Sequence, residues 1–233
     1  MAMRRTLKVS PDPVPDARDQ PRIDVAIMAR APVPGLAKTR LIQALGAAGA
    51  ARLQSWLLQR TVALALAADV GPVSLWCAGD LEHPDFAAYA QLGQVSLRVQ
   101  PEGDLGWRML AAIRAAATSA GILLIGADCP ALTPLHLREA AAALAENDAV
   151  VTPAEDGGYV LIGMKSAAPE LFRQIDWGSE NVMAETRLRL RELAWVWHEP
   201  ATLWDVDRPA DLLRACQAFP VLGSLLGTAI ETA

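Results

Sequence analysis

Four short segments place charged and small residues at spacings that can do chemistry, and most of them follow an aliphatic run of strand length. The first is Arg30-Ala31-Pro32-Val33-Pro34-Gly35-Leu36-Ala37-Lys38-Thr39-Arg40. Prolines such as Pro34 stiffen this loop, Gly35 permits close backbone approach, and Arg30, Lys38 and Arg40 flank it. Lys38 supplies a compact charge, Arg40 can contact phosphate oxygens in pairs, and a helix beginning near Thr39 adds the positive end of its dipole. Taken alone, the segment reads equally well as a surface loop with solvated charges. Only one glycine of G-x-x-x-x-G-K-[ST] is present, and G-x-G-x-x-G is absent, so neither common phosphate motif applies.

The second segment, Gly126-Ala127-Asp128-Cys129-Pro130-Ala131-Leu132-Thr133, puts Asp128 at the carboxyl tip of a buried strand. A carboxylate there suits Mg²⁺ or Mn²⁺, which takes one or two protein carboxylates and completes its shell with water and phosphate oxygens. Thr133, before Pro134, reads as a helix cap. The third is Asp205-Val206-Asp207-Arg208-Pro209, whose two acids point the same way if the chain is extended and together make a second metal candidate. Asp207 is taken as the second metal ligand, with capping of the helix that Pro209 begins as the competing role.

The fourth is Glu155-Asp156-Gly157-Gly158-Tyr159. Asp156 is the candidate base for an acceptor hydroxyl, Gly157 and Gly158 let a backbone approach a substrate, and Tyr159 can stack on a sugar; the same residues also make a plain turn. Two further loops complete the candidate pocket. In Gln100-Pro101-Glu102-Gly103-Asp104-Leu105-Gly106-Trp107-Arg108 the glycines Gly103 and Gly106 can wrap a base or ribose, while Asp104 fits binding and helix capping equally. In Asp176-Trp177-Gly178-Ser179, Trp177 can wall the acceptor site.

The elements that must hold these loops alternate strand and helix. Strands are expected at 23–29, 72–78, 95–99, 122–126, 149–152, 159–164 and 195–197, with helices near 39–68 (weakened around Gly46 and Gly49), 84–91, 106–119, 135–145, 180–193 and from Pro209 onward. Continuous aliphatic strands such as Ile122-Leu123-Leu124-Ile125 are those of a mainly parallel sheet covered on both faces, and the close pair at 149–152 and 159–164 suggests an antiparallel insertion. In such a sheet, ligands bind beyond the carboxyl ends of the strands.

The chain has 233 residues, 52% of them hydrophobic, which suits one α/β domain over residues 22–233 after a flexible lead-in at 1–21. No run approaches the roughly 18 apolar residues of a membrane span. The basic start leads into prolines and aspartates rather than an apolar segment, and the three cysteines, Cys77, Cys129 and Cys216, fit neither a disulfide framework nor a C-x-x-C site; a cytoplasmic location is expected. A net charge of −5 disfavours non-specific nucleic-acid binding. G-x-S-x-G and H-E-x-x-H are absent, and the three histidines lie far apart.

In their order, Arg30-x-Pro32-x-Pro34-Gly35-x-x-Lys38-Thr39-Arg40-Leu41, Gly103-Asp104-Leu105-Gly106-x-Arg108-Met109, Gly126-x-Asp128-Cys129-Pro130, Asp156-Gly157-Gly158-Tyr159, Trp177-Gly178 and Asp205-Val206-Asp207 resemble the DUF2064 family of GT-A-like glycosyltransferases. The resemblance spans about Ile23 to Arg214. It implies a nucleotide-diphospho-sugar-transferase fold, a three-layer α/β/α sandwich around a mainly parallel, mixed sheet. It also implies that the first loop lies near the nucleotide and that Asp128 and Asp207 hold the metal. Asp128-Cys129-Pro130 carries one acid where typical GT-A enzymes have Asp-x-Asp, and Arg30 stands where the family usually has Lys.

The expected activity is metal-assisted glycosyl transfer from a nucleotide sugar to a small-molecule acceptor, with Asp156 and Lys38 as catalytic residues. The alternative is nucleotidylyl transfer from a nucleoside triphosphate, since the Lys38-Thr39-Arg40 loop also resembles the first loop of guanylyltransferases. A non-catalytic nucleotide-binding protein is the third reading. Nothing in the sequence assigns an oligomeric state.

Overall fold

The computed structural model describes residues 22–116 and 120–227; the lead-in expected at 1–21 lies outside them. Seven strands form one sheet: β1 (Asp24–Arg30), β2 (Val73–Ala78), β3 (Val95–Val99), β4 (Ile122–Gly126), β5 (Ala149–Pro153), β6 (Tyr159–Met164) and β7 (Trp197–His198). Their order across the sheet is β3-β2-β1-β4-β6-β5-β7. Pairing is parallel from β3 through β4 and between β5 and β7, whereas β6 runs antiparallel to both β4 and β5. The hairpin expected near 149–164 is thus the antiparallel part of the sheet.

Alternation along β1 explains the layers. Val25, Ile27 and Ala29 pack on one face with Leu58, Val62 and Ala65 of α1 (Ile42–Ala68) and Leu137, Ala140 and Leu144 of α4 (Pro134–Glu146). On the other face Ala26 joins Met109, Leu110 and Ile113 of α3 (Leu105–Arg114) and Met183 and Leu190 of α5 (Val182–Glu192). Helices on both faces make a three-layer α/β/α sandwich. Helix α2 (Pro84–Leu92) connects β2 to β3. The last described residues fold as two helices, α6 (Pro209–Ala218) and α7 (Val221–Leu226), separated by Phe219 and Pro220. They form a third apolar cluster with Leu41, Leu53, Leu57 and Val206.

The helix expected over 39–68 is a 3₁₀ turn at Thr39–Leu41 followed by α1, and Gly46 breaks the α1 geometry at φ 67° and ψ 165°. The strand expected at 195–197 is shifted to Trp197–His198. The reason is local: Ala194 turns out of α5 with φ 54°, and Trp195 donates its N–H to Leu190 rather than to a neighbouring strand.

The switch in strand order falls at β1, with β2 on one side and β4 on the other. Loops leaving the carboxyl ends of β1, β2, β3 and β4 therefore splay apart around a crevice, where a ligand has room to enter.

Candidate functional site

That crevice is a cleft of about 500 Å³, walled by Arg30, Lys38, Arg40, Arg108, Asp128 and Asp207 together with apolar and amide side chains. Arg30 ends β1. Gly35, at φ 84°, forms the exposed apex of the following loop with Pro34; neither lines the cleft, although Leu36 does. Lys38 adopts a left-handed backbone at φ 45° and ψ 48°, a sparsely populated conformation for a residue with a side chain. Its ammonium lies 3.2 Å from Asp207 Oδ1 and 3.5 Å from Asp128 Oδ2. Arg40 Nη1 takes the other Asp207 oxygen at 2.6 Å.

Asp207 reaches this position through backbone ties. Leu203 donates its N–H to Pro153 O at 3.0 Å, and Val206 donates to Asp128 O at 3.0 Å, so the segment is laid across the carboxyl end of the sheet beside Asp128. Asp207 does not cap α6: Asp211 Oδ2 accepts from the N–H groups of both Arg208 (2.7 Å) and Asp207 (3.0 Å). Thr133 does cap α4, its hydroxyl accepting from His136 N–H.

Electrostatics mark the same spot. Burial pulls the Lys38 pKa down, but Asp128, Asp207 and Asp205 outweigh it, and the ammonium ends above its ordinary value. Asp205 is the reverse case: burial, then the charges of Asp128 and Asp156, push its carboxyl up to about 7. Its neighbours thus place three acids, Asp128, Asp156 and Asp205, in one electrostatic neighbourhood. Among the described residues no group of three or more His, Cys, Asp or Glu side chains has the arrangement of a ready metal site.

The other expected residues divide. Asp156 sits on an exposed turn with its Oδ1 accepting from Gly158 N–H at 2.9 Å. Gly157, at φ 92°, lies against the Glu180 carbonyl, and its own carbonyl accepts from Met183 N–H at 2.8 Å. Tyr159 and Trp177 meet edge to face at 6.5 Å, and the Tyr159 hydroxyl donates to Met109 Sδ at 3.6 Å. None of these five residues, Asp156, Gly157, Gly158, Tyr159 and Trp177, lines the cleft.

The loop before α3 resolves toward capping. Asp104 Oδ1 accepts from Trp107 N–H at 2.7 Å. A side chain on Gly106 would strike Phe172 O and the Trp177 ring, and one on Gly103 would strike Trp107. Asp104 and Gly106 border a separate hollow on the far side of α3.

Three further residues stand at or beside the cleft: Gln100 and Arg108, from a stretch expected to line the pocket, and Asp205, expected with Asp207 as a second metal candidate. Gln100 donates its side-chain amide to Ala29 O (3.1 Å) and Trp76 O (2.8 Å), bracing the ends of β1 and β2. Arg108 faces the cleft from α3. Asp205 lies among the acids. Asp205 and Arg108 were visible as charges within the quoted segments, whereas only the sheet order brings Gln100 to the ends of β1 and β2.

Comparison with known proteins agrees with this fold. The profile of the family described as "Uncharacterized protein conserved in bacteria (DUF2064)" matches residues 61–179. A phosphoenolpyruvate guanylyltransferase of Thermomonospora curvata is 33% identical over 190 residues, 77% of each chain. The structure of a candidate nucleotide-diphospho-sugar transferase from Desulfovibrio desulfuricans G20 superposes with a TM-score of 0.76 at 28% identity, covering 89% of this chain and 95% of that one. A nucleotidyl transferase of Methanothermobacter thermautotroptrophicus shares the fold at 16% identity and a TM-score of 0.55, over 85% and 98% of the two chains. Among the described residues no helix is long and apolar enough to cross a membrane. With a matching profile, a relative aligned over most of both chains and a sheet whose switch point opens on a cation-lined cleft, the protein belongs to the DUF2064 family and is a nucleotide-using transferase of GT-A-like fold.

Proposed function

We propose that the protein is a nucleotidylyltransferase that binds a nucleoside triphosphate in the cleft. An anionic oxygen of a small acceptor attacks the α-phosphorus, the bond from that phosphorus to the bridging oxygen breaks, and pyrophosphate leaves. The observation that carries this reading is the charge inventory of the cleft wall: four cations, Arg30, Lys38, Arg40 and Arg108, against two carboxylates, Asp128 and Asp207. Preorganised cations aimed at a triphosphate stabilise the charge that develops on a departing pyrophosphate.

A phosphate or carboxylate acceptor is already ionised near neutral pH, so this chemistry needs no general base. Attack by a sugar-acceptor hydroxyl does, and the expected base, Asp156, has one oxygen held in its own turn and lies off the cleft wall. The relative from Thermomonospora curvata is named for guanylyl transfer to phosphoenolpyruvate, which makes GTP and a phosphorylated carboxylic acid the first substrates to try.

The donor set fits a divalent cation. Asp128 has a side chain 41% exposed, and Asp205, whose carboxyl is pushed up to about 7 by burial and by Asp128 and Asp156, would release its proton to become a second donor when a cation binds. Two hard oxygen donors leave the remaining positions for phosphate and water. Asp205 is the second donor in this reading, with Asp207, whose two oxygens face Lys38 and Arg40, as the other candidate. When bound, Mg²⁺ or Mn²⁺ would neutralise phosphate charge. Lys38 orients Asp128 and Asp207 and adds positive charge beside the phosphates.

Glycosyl transfer is the second reading, favoured by the Desulfovibrio desulfuricans structure, whose description is that of a candidate nucleotide-diphospho-sugar transferase. Calorimetric titration with the four common nucleoside triphosphates and a set of nucleotide sugars, with Mg²⁺ and with EDTA, separates the two. Tighter binding of a triphosphate supports nucleotidylyl transfer. A preference for a nucleotide sugar supports glycosyl transfer, and binding without turnover of any donor points to a non-catalytic nucleotide binder.

A further inference from the structure

We propose that Arg108 is the principal anion anchor of the cleft, gripping the diphosphate portion of the bound nucleotide through the guanidinium edge that carries Nε. This rests on the nucleotide-binding reading above and adds to it a residue with no role so far. Of the four cations on the cleft wall, Lys38 and Arg40 are committed to Asp207, and Arg30 stands exposed at the tip of β1. Arg108 is half-buried, and its Nε is buried with no hydrogen-bond partner among the described residues.

Among the described residues Trp177 Nε1 is also left unpaired, but Arg108 is the cleft-lining side chain in that state. Elsewhere, arginines laid against the protein satisfy the same atom: Arg60 Nε donates to Pro130 O, Arg138 Nε to Ala68 O and Arg187 Nε to Glu199. A buried donor left unpaired costs free energy that an arriving acceptor restores. The cost is tolerated where the structure fixes the group for a partner that comes from outside.

The local fold does fix it. Gly106 is buried against Phe172 O and the Trp177 ring, at distances where no side chain fits, so the first turn of α3 is pressed onto the protein. Asp104 caps that turn through Trp107 N–H, and the Arg108 N–H closes it on Asp104 O at 3.2 Å. The turn therefore presents Arg108 to the cleft beside Leu105, next to Gln100, whose amide is itself pinned to two backbone carbonyls. The Nε and one Nη of a guanidinium make two parallel N–H groups, which match two oxygens of a phosphate and hold it in one orientation.

The test is calorimetric titration of inorganic pyrophosphate, and separately of GTP, into the native protein, Arg108→Gln and Arg108→Lys, all in EDTA, with melting temperatures of the unliganded proteins. The expected result is a loss of pyrophosphate and GTP affinity of about tenfold or more in Arg108→Gln. Arg108→Lys should recover only part of it, because an ammonium lacks the Nε edge. The unliganded Arg108→Gln protein should melt no lower than the native one, since it loses an unpaired donor rather than a contact. Native affinity in Arg108→Gln, a melting temperature lowered by several degrees, or no pyrophosphate binding by the native protein would each overturn the assignment. If pyrophosphate binds through Arg108 but no nucleoside triphosphate binds, the anchor stands and the transferase reading given above falls.

Discussion

The Lys38 ammonium lies 3.2 Å from Asp207 and, with a side chain only 6% exposed, stands between that acid and Asp128 at 3.5 Å. A cation in this place competes with any metal ion for Asp128. Removing a unit charge about 4 Å from a site at the protein surface is worth roughly 4 kcal/mol before relaxation, enough to move affinity by more than about tenfold. Lys38→Met should therefore bind Mn²⁺ alone at least about tenfold more tightly than the native protein, read from the free-ion signal in electron paramagnetic resonance. An unchanged Mn²⁺ affinity would mean that Lys38 and the ion do not share the carboxylate.

Asp207 serves two cations of very different exposure, so its loss and the loss of Arg40 should differ. Asp207→Asn strips the nearly buried Lys38 of its hydrogen bond and should cost about 2 kcal/mol in urea unfolding, less than a fully buried pair because Asp207 is 35% exposed. Arg40, 59% exposed, should cost no more than about 1 kcal/mol when changed to Met. Equal losses would show that the Lys38 contact carries no special weight.

Two glycines with positive φ make a controlled pair. At Gly35 an added methyl group meets open space, so Gly35→Ala should cost only the backbone strain, about 1 kcal/mol. At Gly157 the same methyl group runs into the Glu180 carbonyl and forces the turn off α5, so Gly157→Ala should cost about 3 kcal/mol or more. Thermal unfolding of the two variants decides the matter, and a mild Gly157→Ala would show that the turn is free to move.

The edge of the sheet has a pH signature. Arg187 donates to both oxygens of Glu199, at 2.9 and 2.7 Å, and Trp197 Nε1 adds a third bond at 2.8 Å. Hydrogen bonding to Arg187, ahead of that to Trp197, holds the Glu199 carboxyl below its ordinary value of 4.5. Its folded pKa is depressed, so the stabilisation is present above pH 4.5 and is lost as pH falls through the folded value. Glu199→Gln should cost about 1 kcal/mol at pH 7, a figure kept low for a half-exposed pair, and almost nothing near pH 3. Melting curves at the two pH values check this; a difference that persists at low pH would contradict it.

Much of this arrangement is legible in the sequence because strands buried on both faces read as unbroken aliphatic runs, and Ile122–Gly126 and Tyr159–Met164 fall where such runs predict them. Polar residues in the segments that follow strands, Lys38, Arg40, Asp128 and Asp207, all reach one cleft. The rest depends on pairing between distant segments. Whether Asp205 or Asp207 faces Lys38 is decided by the bond from Val206 to Asp128, which no spacing encodes. Asp104, equally suited to capping and to binding, resolves as a cap because α3 begins beside it. Gln100 reaches the site through the strand order, which places the end of β3 beside those of β2 and β1.

The central claim is that this cleft transfers a nucleotide. Phosphorus magnetic resonance of the protein with GTP, phosphoenolpyruvate and Mg²⁺ tests it most directly, with the other three triphosphates in parallel and Asp128→Ala as the control. The account predicts a growing pyrophosphate signal matched by a new phosphoanhydride pair, abolished in Asp128→Ala. No pyrophosphate from any triphosphate, alongside release of a nucleoside diphosphate from a nucleotide sugar, would contradict it.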